Sequence, residues 1–300
     1  MGQSDVSRQT VAITYPLDDT VSVKFRGTTL LPRLKGEAKV KRAGRRGTRV
    51  ELSVENMPRA TELGGIYTTY ILWAISPEGR VDNLGEIKRS GSVIIDSKID
   101  VTTPLQTFAM IVTAEPHFLV RSPSRTVVLE NLPPQKAGDA EIATVNVQYI
   151  GNSSDYFRDQ RVPDMADSNY GTTPVSLLGA RQAINLARYA RAGDFAADEL
   201  KEAEAQLALA ENAWRLKQEE AETDALARRT TSFGARAEEN AEARRMAADR
   251  RKELQRRDED VQRAEESVAN STKQISDLES LLEKEQKSPR TRGKRFINSQ

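Results

Sequence analysis

Thr173-Pro174-Val175-Ser176-Leu177-Leu178-Gly179-Ala180 opens a stretch that runs to about Lys287, dense in Ala, Glu and Arg, with no proline after Pro174. Thr173 suits a helix N-cap, and Pro174 suits the first helical position, where its missing N–H costs nothing. Leu177, Ala180, Ile184, Ala187 and Ala190 follow at helical spacing, which predicts a first helix over 174–191. Gly193-Asp194 interrupts the pattern, and Asp194 offers a cap for a second helix over 195–229. There Leu200, Ala203, Leu207, Ala210, Trp214 and Ala221 form a narrow apolar seam. Thr230-Thr231-Ser232-Phe233-Gly234 reads as the next break and the place where the chain reverses. A third helix is expected over 235–287.

The last helix carries a seven-residue register. Ala247, Leu254, Val261, Val268, Ile275 and Leu282 recur at that spacing, whereas the companion positions are Arg250, Arg257, Ala264, Ser271 and Leu278. A stable two-stranded coiled coil wants both columns apolar. One good column implies a weak or partner-dependent coiled coil, and Leu254, Val261, Val268, Ile275 and Leu282 are the candidate self-association or partner interface. At 1.5 Å per residue the third helix would reach roughly 80 Å and the second roughly 50 Å, so the third outlasts any antiparallel fold-back. The competing reading is an intramolecular helical hairpin.

Upstream, the period changes from helical to two. Thr10–Tyr15 and Val21–Phe25 alternate; 39–42 and 48–54 flank the turn Ala43-Gly44-Arg45-Arg46-Gly47; and 66–76, rich in Tyr, Thr, Ile and Trp, reads as a central strand holding Tyr70 and Trp73 in or near the core. Residues 80–88, 92–96, 107–114 and 126–130 complete about eight short strands with frequent turns, the signature of an antiparallel sandwich. The expected organisation is therefore α+β and multidomain. A disordered N-terminus (1–9) precedes an Ig-like β-sandwich (10–131). A linker (132–172) with one candidate extra strand at 142–149 leads to a helical hairpin or three-helix coiled-coil arm (173–287). A disordered basic tail (288–300) follows.

Composition narrows the chemistry. The chain has 45 Lys and Arg against 44 Asp and Glu, so net charge selects no partner. The absence of cysteine removes disulfides, thiolate metal sites and cysteine catalysis. One histidine, His117, leaves no histidine-rich metal site and one candidate base for a nucleophilic triad. No run approaches the roughly 20 apolar residues of a membrane-spanning helix.

Two segments carry a resemblance. Ile66-Tyr67-Thr68-Thr69-Tyr70-Ile71-Leu72-Trp73-Ala74-Ile75-Ser76-Pro77-Glu78-Gly79-Arg80 with Asn83-Leu84-Gly85-Glu86, Thr113-Ala114-Glu115-Pro116-His117-Phe118 and Val128-Leu129-Glu130-Asn131 resembles the β domain of uncharacterised bacterial envelope proteins of the Acidobacteria type. Ala180–Ala190, Phe195-Ala196, Glu199–Glu204 and Ala241–Arg245 are similar to an alanine-rich helical domain of unknown function found with it. In that group an OmpA-like module that grips peptidoglycan often follows, and these 300 residues do not contain one. The resemblance implies a periplasmic or exported protein, its signal peptide removed from this sequence, with an envelope-structural role. It implies no activity and assigns no binding residue.

The remaining candidate sites have plain structural alternatives. His117 is a pH-sensitive contact or a lone metal ligand, or else a turn or strand-end histidine satisfied by backbone. Lys39, Lys41, Arg42, Arg45, Arg46 and Arg49 could contact an anionic surface or polymer, with Lys39, Lys41, Arg45 and Arg46 the strongest candidates, but no aromatics interleave with them for base stacking, and a solvated hairpin explains the run as well. Carboxylate pairs such as Glu238-Glu239, Glu265-Glu266 and Asp258-Glu259-Asp260 read as solvated helix faces. Trp214 either anchors the arm internally or awaits a partner. The resulting expectation is a noncatalytic structural and interaction protein without cofactor, metal or small-molecule substrate. Its β head binds a partner, and its helical arm is spacer and assembly surface, pairing with itself or with another envelope protein. The alternative is a cytoplasmic nucleic-acid-associated protein using basic segments 39–49 and 287–295.

Overall fold

The computed structural model describes residues 8–44, 47–64, 66–90, 96–134, 142–149 and 172–287. The fold is α+β. The expected turn residues Arg45 and Arg46, most of the linker (135–141 and 150–171) and the basic tail (288–300) lie outside the described residues.

Eleven strands are described: β1 (Arg8–Thr14), β2 (Thr20–Gly27), β3 (Lys35–Arg42), β4 (Thr48–Glu55), β5 (Thr69–Ile75), β6 (Val81–Glu86), β7 (Lys88–Ser90), β8 (Asp96–Thr103), β9 (Thr107–Glu115), β10 (Val127–Asn131) and β11 (Thr144–Tyr149). Their antiparallel pairings draw one continuous path, β11-β1-β9-β10-β2-β3-β4-β8-β7, with β5 on the other edge of β9 and β6 beyond β5. Strand count and turn spacing do not say which edges pair, so this single path was not legible in the sequence. The strand at Arg8–Thr14 begins inside the segment expected to be disordered, and it is held there by β11, with Arg8 opposite Tyr149 and Ile13 opposite Thr144.

Two burial patterns divide the strands. β2, β3 and β4 alternate, turning Val21, Val23, Phe25, Ala38, Val40, Val50, Leu52 and Val54 inward and their polar neighbours outward. β5 and β9 are buried on both faces. Tyr70, Leu72 and Ala74 join Phe108, Met110 and Val112 in the main core, while Ile71, Trp73 and Ile75 join Ala109 and Ile111 in a second one. The second core is closed by Ala12, Val147 and Tyr149 of the β1–β11 pair and by Phe118 and Val120 of the loop after β9. That double cover explains why 69–75 is a nearly continuous apolar run rather than an alternating one.

The helices are α1 (Val175–Tyr189), α2 (Ala192–Phe195), α3 (Ala197–Arg215) and α4 (Glu220–Lys287). Two expected breaks are corrected. The first falls at Arg191, which takes the left-handed conformation (φ 65°), while Gly193 and Asp194 sit inside the short α2 and Asp194 pairs with Arg191 rather than capping α3. The second falls at Lys217 (φ 54°), between α3 and α4, and the helix runs unbroken through Thr230–Gly234. The hydroxyls of Thr230, Thr231 and Ser232 do not compete with the helix there. Each donates back to the carbonyl four residues earlier, on Leu226, Ala227 and Arg228 respectively.

Gly234 is in the helix for a packing reason. A Cβ placed on it would lie 2.9 Å from both the carbonyl carbon and the Cβ of Ala183, so α1 and α4 touch backbone to backbone. Ala187, Ala190, Ala192, Ala196, Ala237 and Ala241 continue the close contact in one direction, and Leu177, Ala180, Ala210 and Ala227 in the other. Small residues at these positions make a helix sparse in large apolar groups pack tightly.

By internal contacts the chain divides into two units, Met1–Ala243 and Arg244–Gln300. The boundary falls within α4 rather than between the β region and the helices. In the first unit α4 buries Thr223, Ala227, Thr230, Thr231, Gly234, Ala237 and Ala241. In the second, every residue of α4 from Asp249 to Lys287 is exposed.

The Gly234 contact gives a test in which helix propensity and packing disagree. Glycine to alanine in a helix interior ordinarily gains about 1 kcal/mol. Gly234→Ala is expected to lower the urea midpoint because the contact with Ala183 must open. Gly193→Ala, whose added Cβ would meet nothing within 4 Å, is expected to leave the midpoint unchanged or raise it.

Candidate functional site

Three places merit inspection: a cleft between the β strands and the helices, a pair of buried titratable groups beside it, and the exposed face of α4.

The cleft has a volume of about 820 Å³ and lies wholly within the first unit. The ends of β5 and β6 form one wall, with Thr69 and Glu86. The start of α1 contributes Thr173 and Ser176, and the first turns of α4 contribute Asp224 and Arg228. Arg228 organises this wall. Its guanidinium donates to Glu86 Oε2 at 2.6 Å and to Asp224 Oδ2 at 2.9 Å, and lies 4.9 Å from the centre of the Phe118 ring. Thr69 Oγ1 donates to the other Glu86 oxygen at 2.6 Å. Glu86 and Arg228 are 142 residues apart, and no periodicity or motif in the sequence links them. The Arg228 side chain is 30% and the Glu86 side chain 12% exposed, so this largely covered ion pair fastens α4 to the strands.

Glu115 ends β9 and is fully buried. One carboxyl oxygen, Oε1, accepts from the Ser124 amide at 2.6 Å and from the Thr113 hydroxyl, which in turn accepts from the Trp73 indole N–H at 2.7 Å. Oε2 has no hydrogen-bond partner among the described residues. Burial pushes this carboxyl up to about 8, against the opposing pull of Ser124 and Thr113, so it is protonated at neutral pH. His117 is buried two residues on. Its Nδ1 accepts from the Leu119 amide at 3.2 Å, and burial pushes the imidazole down to about 4, so it is neutral. Backbone therefore satisfies one ring nitrogen, as a strand-end histidine would have it, while Nε2 is without a partner among the described residues. Neither Glu115 nor His117 lines the cleft. The signal for Glu115 in the sequence is a lone carboxylate closing the apolar strand Thr107–Glu115.

The other expected sites are placed as follows. Lys39 and Lys41 are exposed on β3, in register with Glu51 and Arg49 on β4. Arg49 is held by Glu51 and by both oxygens of Asp100, so carboxylates interleave with the cations across this face. Trp214 is an internal anchor: it packs with Leu177, Leu207 and Leu226 between α1, α3 and α4, with the Arg181 guanidinium 5.8 Å from its ring centre. Glu238 departs from the solvated reading. Burial first, and Glu242 second, push its carboxyl up to about 7, while Glu239 is held low by its ion pair with Arg121. Leu254, Val261, Val268, Ile275 and Leu282 are all more than half exposed on α4, as are Leu278 and Leu281. Among the described residues no group of three or more His, Cys, Asp and Glu is placed to hold a metal ion, and no helix is long and apolar enough to cross a membrane.

The two buried groups give opposite pH limbs. For Glu115 the folded pKa lies above the unfolded one, so its contribution to stability is full below about 4.5 and is lost as pH rises through about 8. For His117 the folded pKa lies below the unfolded one, so its contribution is present above about 6.5 and is lost as pH falls through about 4. Denaturant unfolding across pH 5 to 9 is expected to show stability falling toward the alkaline end. Glu115→Gln should flatten that fall and leave the acid limb in place; an unchanged alkaline limb would contradict the assignment.

Comparison of the chain with family models, curated proteins and solved structures returned no match.

Proposed function

We propose that this is a noncatalytic structural and interaction protein of the bacterial cell envelope, periplasmic or exported, whose last helix is an assembly surface. The observation that carries the reading is the apolar column on α4: Leu254, Val261, Val268, Ile275 and Leu282 at seven-residue spacing, each between 51% and 65% exposed. Scattered exposed leucines are ordinary, but a column at coiled-coil spacing on a stretch of helix exposed at every residue from Asp249 to Lys287 is the pattern that a partner helix completes. In this reading the last helix forms a coiled coil on assembly. The β strands form an Ig-like head, a rigid body bearing the partner-binding surfaces, with the helices of the first unit fastened to it through Arg228 and Glu86. The envelope location is drawn from the resemblance of residues 66–86, 113–118 and 180–204 to envelope proteins.

The nucleic-acid reading loses ground on the β3–β4 face. Lys39, Lys41 and Arg49 are matched there by Glu51 and Asp100, so the surface is mixed in charge rather than a basic stripe.

Sedimentation of the full chain across protein concentration tests the assembly reading. The wild type should gain mass with concentration, and Val261→Asp with Val268→Asp should hold it at monomer mass without lowering the melting temperature of the first unit. Equal mass for the two proteins at every concentration would overturn the reading.

A further inference from the structure

We infer that the partner of the α4 column is a second copy of the same chain, lying antiparallel to the first. This rests on the assembly reading of the same face and adds the partner's identity and direction.

Charge is unevenly distributed along the exposed helix. Residues 244–257 of α4 hold seven Arg and Lys against two Asp and Glu, whereas residues 258–287 hold four against nine. The exposed helix is therefore polarised, net +5 in its first part and net −5 in its second. Two copies in parallel register would set like charge against like along their whole length. Arg250 and Arg257 would meet their own counterparts in the seam, and Glu253 and Asp260 would flank Asp258 and Glu265 of the second copy. Two antiparallel copies set residues 244–257 of each, net +5, against residues 275–287 of the other, net −2, and leave like charge facing like over 258–274, net −3, rather than along the whole length.

The companion column selects the same direction. In an antiparallel pair the main column of one helix meets the companion column of the other. With Leu254 placed against Leu278 of the second copy, the same offset sets Val268 against Ala264 and Val261 against Ser271, each pair occurring twice. Ile275 and Leu282 then meet Arg257 and Arg250. Their aliphatic stems cover the apolar side chains while the guanidinium heads reach toward Glu279 and Glu283. Arg251 flanks Glu279 of the second copy on the same side. The polar companion column, which spoils a parallel coiled coil, is what an antiparallel one uses. Among the positions that flank the seam this arrangement makes one like-charge contact, Glu265 against itself at the two-fold axis. With small or polar groups in several layers, the pair is weak and salt-sensitive.

The chain has no cysteine, so single thiols can report direction. Ala247→Cys and Glu285→Cys occupy seam positions that face each other across the antiparallel pair. In one helix they are roughly 57 Å apart. Mild oxidation of the two full-length variants mixed together should give at least about tenfold more disulfide-linked dimer than either variant alone, because only the mixed pair brings the thiols within bonding distance. Dimer formation in the wild type should weaken several-fold as salt is raised from low to near-molar, since attraction between unlike charges is screened. Cross-linking of each variant with itself would mean a parallel pair; it would overturn this inference and leave the assembly reading standing. Dimeric mass with no cross-link in any sample would overturn the antiparallel register, and dimer formation strengthened by salt would overturn the charge argument. Monomer mass in every sample would overturn this inference and the assembly reading together.

Discussion

Burial along α4 stops at Ala241, and the rest of the molecule's behaviour depends on that boundary. Before it, the helix is held by close contact with α1 at Gly234, by the alanine cluster around it and by the Arg228–Glu86 ion pair. After it, the helix has its own backbone hydrogen bonds and a few pairs along its own surface, such as Arg263 with Asp260 and Lys287 with Glu283. Pairs of that kind contribute about 0.3–0.5 kcal/mol each. Most helical stability in proteins comes from packing an apolar face rather than from propensity. A helix with an apolar column and no cover is accordingly a structure that gains much from a partner.

The first unit shows what the same chain does when cover is available. β5 and β9 are sealed on both faces, the loop after β9 carries Phe118 and Val120 over the second core, and α1 presents Gly179, where an added Cβ would lie within 4 Å of Thr68 and His117. The burial that unites strands and helices is the burial that shifts Glu115 and His117 toward their uncharged forms. Their titration reports on the integrity of this packing.

Legibility in the sequence followed how local each cause was. The alternation in β2 to β4, the doubly buried run around Trp73 and the seven-residue column of α4 are all patterns within one element, and they were readable. Thr230-Thr231-Ser232-Phe233-Gly234 misled because its residue types favour a break, while the decisive fact, the approach of Ala183, comes from another helix. Lys217 was invisible for the converse reason: a lysine in a left-handed conformation has no compositional mark. The single path of the sheet, the cleft and the partnership of Arg228 with Glu86 depend on residues far apart in the chain. The polarised charge of residues 244–287 was in plain view, but it acquired meaning once every residue from Asp249 to Lys287 was seen to be exposed.

Hydrogen exchange of the full chain at a series of protein concentrations tests the central claim most directly. If a second copy covers the α4 column, amides of residues 254–282 gain protection as concentration rises, while those of β5, β9 and α1 stay constant. Protection of residues 254–282 that is independent of concentration would contradict the account.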